Sequence, residues 1–126
     1  MAIATNLGFP RIGAHRELKR AVEKFWSEKI SEAELQQIGR DLRETNWKLQ
    51  QTAGIEQIPS NDFSFYDQVL DTTAMVGAIP TRFQWTSDAV DLTTYFAMAR
   101  GGKGGKSVNA TTAGVAALEM TKWFDT

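Results

Sequence analysis

Two glycines and a proline fall within six residues at Gly8-Phe9-Pro10-Arg11-Ile12-Gly13, and this cluster constrains the chain more than any other feature. Proline fixes its own φ and has no N–H to donate, while glycine opens backbone angles that other residues avoid, so the segment is an ordered loop and not a helix. Before it, Ile3 to Gly8 is a short, mostly apolar run consistent with a first strand. After it the period changes. Leu18, Ala21, Val22, Phe25 and Trp26 recur at three-and-four spacing, which predicts a helix from about His15 to about Ser27 with that stripe buried.

A second helix is announced by Ser31-Glu32-Ala33-Glu34, a capping box worth about 1 kcal/mol. Its apolar face reads Leu35, Ile38, Leu42, Leu49 and Ala53, and Gly54 stands where a left-handed C-terminal cap is wanted. Ile55 to Pro59 suits a second short strand, and Ser60-Asn61-Asp62 supplies capping groups for a third helix, roughly Phe63 to Val76, stopped by Gly77. Ile79 to Trp85 reads as an extended piece and Leu92 to Arg100 as a further helix. The Gly-Gly-Lys-Gly-Gly-Lys-Ser run at 101–107 reads as a mobile surface loop. Thr111 to Thr126 reads as a helix, favoured by Ala116, Ala117, Leu118 and Met120, that gives way to a short extended end. Short strands between helical stretches predict an α/β fold with parallel pairing. An eight-stranded barrel takes about 250 residues, so the expectation is its first βα units only, rich in helix.

Cysteine is absent and His15 is the only histidine, which excludes disulfides, thiol nucleophiles and a zinc site built from this chain alone. A formal net charge of −1 argues against a general nucleic-acid binder. No window approaches the roughly 18 apolar residues of a membrane span, so no membrane partner is expected and a cytoplasmic location is the default. The charge is unevenly spread. Met1 to Ile30 holds six Lys/Arg against three acids, whereas Glu56 to Arg100 holds six acids against Arg82 and Arg100.

Arg16-Glu17-Leu18-Lys19-Arg20 places three bases at the start of the first helix, where the helix dipole mildly disfavours positive charge. One reading is a solvated helix end whose bases pair with Glu23 and other acids. The other is a docking point for a polyanion, which the free N–H groups, the dipole and the side chains would all attract. The glycine-rich run is not a Walker A loop, because Arg100 stands where its first glycine belongs and a helical pattern precedes it. His15 reads as a hydrogen-bonded surface group. Asn61, Asp62, Tyr66 and Asp67 form a candidate polar cluster that capping and turn duty also explains. The four tryptophans read as core or interface residues.

Four stretches carry a resemblance: Leu7-Gly8-Phe9-Pro10-Arg11-Ile12-Gly13, Arg16-Glu17-Leu18-Lys19, the run Ser60-Asn61-Asp62-Phe63-Ser64-Phe65-Tyr66-Asp67-Gln68-Val69-Leu70-Asp71, and Leu118-Glu119-Met120-Thr121-Lys122-Trp123-Phe124-Asp125-Thr126. In this order they resemble the amino-terminal end of cobalamin-independent methionine synthase. The resemblance implies an enzyme of two β/α barrels, with residues 1–126 forming the amino-terminal part of the first. It implies transfer of a methyl group from 5-methyltetrahydrofolate polyglutamate to homocysteine, which is held by zinc in a carboxy-terminal barrel outside this chain. The match implies folate and polyglutamate binding by Arg16, Glu17, Leu18, Lys19 and Lys122, no catalytic residue here, no cofactor bound by the piece alone, and no activity from it. The competing reading is a small interaction module whose basic helix start docks an acidic partner.

Overall fold

The computed structural model describes residues 1–102 and 114–118. The chain divides into two compact units, one from Met1 to Phe65 and one beginning at Tyr66.

In the first unit, helix α1 (Glu17–Trp26) packs against α2 (Glu32–Thr52). Of the predicted α1 stripe, Leu18, Ala21, Val22 and Phe25 are buried and Trp26 is half-buried. The capping box of α2 forms: Ser31 Oγ accepts the Glu34 N–H at 3.2 Å, and Glu34 Oε2 accepts the Ser31 N–H at 2.7 Å. At its other end Gly54 takes φ 84° and Ile55 N–H reaches back to Gln50 O, the left-handed cap that a glycine allows. The buried face of α2 differs from the expected stripe. Leu35, Gly39 and Gln50 are buried, whereas Leu49 and Ala53 are exposed. Gly39 is inside because Phe63 and Phe65, ring centroids 5.5 Å apart and edge to face, lie against it.

The two expected strands meet only as an isolated parallel bridge between Thr5 and Gln57. Glu56 and Gln57 N–H groups both donate to Ala4 O, and Thr5 Oγ1 donates to Gln57 O. A parallel ladder needs neighbours along its edges and cover on its faces, and two segments alone supply neither. The described residues therefore form a helix-rich chain without a named strand, in place of the α/β units expected.

In the second unit, α3 is Gln68–Met75 and α4 is Leu92–Arg100. The predicted start of α3 at Phe63 is corrected to Gln68. Asp67, not Asn61 or Asp62, is its cap, with Oδ1 accepting the Leu70 N–H at 2.7 Å. Gly77 follows the helix at φ 69°, as expected of a stop. The predicted extended piece at Ile79–Trp85 holds instead a 3₁₀ turn, Thr81–Phe83, led in by Pro80 at φ −59° and closed by left-handed Gln84. Helix α4 falls where predicted, capped by Asp91 and burying Tyr95 to Ala99. Ala116 to Leu118 are not helical, since Arg82 donates to the Ala116 and Ala117 carbonyls and Leu118 N–H donates to Met98 O. The predicted loop from Lys103 onward and the rest of the final segment lie outside the described residues. Among the described residues no helix is long and apolar enough to cross a membrane.

Candidate functional site

The loop that precedes α1 is tied down at both ends. At its entry, Asp62 Oδ2 accepts the Phe9 N–H at 2.7 Å. At its exit, Leu18 N–H donates to Ile12 O at 3.1 Å and Arg16 N–H to Gly13 O at 3.2 Å. Leu18, only 2% exposed, anchors the turn in the core. Between these ties Arg16 occupies the N-cap of α1 with φ 61° and ψ 37°, a left-handed conformation that a residue with a Cβ adopts at a cost of about 1 kcal/mol or more.

Glu17 turns back over this loop. Its Oε2 accepts the His15 N–H at 2.9 Å. Its own backbone N–H and that of His15 hold the carboxyl below the usual carboxylate range, with weaker help from the charges of His15 and Arg20 against a small opposing effect of burial. Gly13 makes room for it: at φ 84°, an added Cβ would overlap Glu17 Oε2 and lie 3.1 Å from Leu42 Cδ2.

The cations stand on the outside of the same turn. Arg16, Lys19 and Arg20 are exposed. Lys19 Nζ lies 3.8 Å from a Glu23 carboxylate oxygen, with both side chains more than half exposed, so the pair contributes about 0.5 kcal/mol or less and leaves Lys19 free to exchange partners. Beside the turn, a cleft of about 550 Å³ runs between the loop and α2, lined by Phe9, Pro10, Ala14, Glu17, Leu42 and Leu49 among others. Ile38, Leu42 and Leu49 of the stripe read from α2 thus line an open groove, while Leu35 is buried.

A family model described as "Cobalamin-independent synthase, N-terminal domain" matches residues 3–126. The chain belongs to that family. Among curated relatives, a 5-methyltetrahydropteroyltriglutamate--homocysteine methyltransferase of Salinibacter ruber is 59% identical over 126 residues, covering 100% of this chain and 16% of the relative. The protein of that name from Acidiphilium cryptum is 58% identical over the same coverage. A rice relative, 5-methyltetrahydropteroyltriglutamate--homocysteine methyltransferase 1 of Oryza sativa subsp. japonica, is 53% identical over 95% of this chain and 14% of its own length. The chain spans about one sixth of the length of these relatives.

In this cobalamin-independent synthase segment, Arg16, Glu17, Leu18 and Lys19 form one turn, while Lys122 lies outside the described residues. Their roles differ: Arg16 and Lys19 are outside, Leu18 is inside, and the Glu17 carboxylate is engaged with backbone. The candidate polar cluster resolves into structural duties, with Asp62 tying Phe9 and Asp67 capping α3. Sequence reasoning did not single out Gly13 as the partner of Glu17. The signal available was two glycines flanking a proline just ahead of a charged helix start. Among the described residues no group of three or more His, Asp or Glu side chains is placed to hold a metal ion.

Proposed function

We propose that the Arg16–Lys19 turn binds the glutamate tail of a reduced folate, as part of a methyltransferase that passes the methyl group of 5-methyltetrahydropteroyl-triglutamate to homocysteine. The observation that carries this reading is the exposure of Arg16 and Lys19 on the first turn of a helix, in a chain whose relatives are named for a triglutamate substrate. A triglutamate tail is a polyanion, and charge-assisted hydrogen bonds from guanidinium and ammonium groups are the strong ones available at an exposed surface. Leu18 serves from within, by fixing the turn to the core, and Lys122 supplies a further positive charge to the tail.

The whole enzyme on this reading is a cytoplasmic two-barrel protein, of which residues 1–126 are the amino-terminal part of the first (βα)8 barrel. The parallel Thr5–Gln57 bridge and the exposed apolar side chains of Ile3, Leu7 and Val76 support that reading. The zinc ion that such an enzyme implies finds no donor set among the described residues, and on this reading its ligands and the homocysteine site belong to the carboxy-terminal barrel. The test uses the complete enzyme. Lys19→Ala and Lys122→Ala should each raise KM for the triglutamyl folate more than for the monoglutamyl folate, and an equal loss with both tails would refute tail binding by these residues.

A further inference from the structure

A carboxylate in the middle of a polyanion-binding turn needs an explanation, since an unengaged Glu17 would repel the tail that Arg16 and Lys19 attract. Its carboxylate is engaged. Glu17 Oε2 accepts the His15 N–H at 2.9 Å, and the space it occupies is one that any side chain at Gly13 would take. The residue flanked by these two contacts is Arg16, whose left-handed backbone determines where its guanidinium leaves the helix. We propose that Glu17 is a positioning residue, whose carboxylate clamps the Gly13–His15 backbone and so presents Arg16 to the anionic tail.

The inference rests on the folate reading for what Arg16 binds, and on geometry alone for the clamp. His15 N–H precedes the helix and has no helical partner of its own, so the Glu17 oxygen satisfies a donor and fixes the loop at once. The contact also explains the glycine. Gly13 takes φ 84° and carries no Cβ that would displace the carboxylate, so Gly13 and Glu17 act as one unit. Gln at position 17 keeps one acceptor oxygen for the His15 N–H, whereas Ala keeps none. A clamp therefore survives Glu17→Gln, and a direct electrostatic role toward the ligand does not.

The experiment compares Arg16→Ala, Glu17→Ala, Glu17→Gln, Gly13→Ala and the Arg16→Ala/Glu17→Ala double variant in the complete enzyme. Steady-state kinetics with triglutamyl folate are run alongside amide hydrogen exchange at His15. Glu17→Ala and Gly13→Ala should raise KM roughly as much as Arg16→Ala, about tenfold, with kcat unchanged, and the double variant should be no worse than Arg16→Ala. Glu17→Gln should stay within about twofold of the parent. The His15 amide should exchange faster in Glu17→Ala and not in Glu17→Gln. Additive effects in the double variant, or a Glu17→Gln as impaired as Glu17→Ala, would overturn the proposal while leaving folate binding by Arg16 intact. A harmless Arg16→Ala would instead overturn the folate reading. The clamp would then be decided by the His15 amide, supported by faster exchange in Glu17→Ala and overturned by unchanged exchange.

Discussion

The Tyr95 hydroxyl donates to Asp71 Oδ1 and accepts the Tyr66 backbone N–H at 3.1 Å, so one phenol joins the start of the second unit, α3 and α4. Burial, and then the hydrogen bond and charge of Asp71, push the Tyr95 hydroxyl well above its ordinary titration range. A raised value in the folded state means that its stabilisation is complete below the unfolded value of about 10 and is lost progressively as pH rises from there toward the folded one. With two tyrosines in the chain, alkaline spectrophotometric titration should therefore show Tyr95 ionising only as the protein unfolds. Tyr95→Phe should cost about 1–2 kcal/mol in a urea melt, because two half-buried polar groups lose a partner.

Acid should loosen the first unit at the starts of both helices. The Glu34 carboxyl is held below its ordinary value by the Ser31 backbone N–H and then the Ser31 hydroxyl, as Glu17 is by backbone N–H groups. Depressed values mean that this stabilisation is complete above the ordinary value of 4.5 and fades as pH falls through the folded values. Denaturation midpoints measured from neutral pH into acid should fall below about pH 4.5, and Glu34→Gln should flatten part of that fall.

Gly39 should resist enlargement. A Cβ there would lie 2.9 Å from Phe65 Cζ and 3.4 Å from Phe63 Cζ. Alanine recovers about 1 kcal/mol of helix propensity against a shift of one ring, whereas leucine must displace both rings at a cost of about 1–3 kcal/mol. Thermal melts should rank the parent and Gly39→Ala close together and Gly39→Leu clearly lower. A stabilised Gly39→Leu would show that the rings do not pack on α2.

Helix α1 was legible because four of the five residues of its stripe are buried, Trp26 alone being half-buried. Helix α2 was legible in its limits and not in its orientation. Gln50, 3% exposed, is buried because Asn6 Nδ2 donates to its Oε1 at 2.8 Å, a pairing across 44 positions that no local pattern displays. The start of α3 was misjudged for a related reason. Asn61, Asp62 and Asp67 are all good caps in isolation, and the choice fell to Asp67 once Asp62 was taken by the Phe9 N–H and the two phenylalanines by Gly39. At the candidate site, the cations could be read from charge alone. The left-handed Arg16 and the Gly13–Glu17 contact could not, because both depend on how a loop closes in three dimensions.

Equilibrium binding tests the tail-binding claim most directly. Calorimetric titration of the complete enzyme with triglutamyl and monoglutamyl 5-methyltetrahydrofolate should show that the parent prefers the longer tail. Arg16→Ala should weaken triglutamate binding roughly tenfold, about 1.4 kcal/mol, and leave the monoglutamate nearly unchanged. The same loss with both ligands, or with neither, would contradict a tail-binding role for the opening turn of α1.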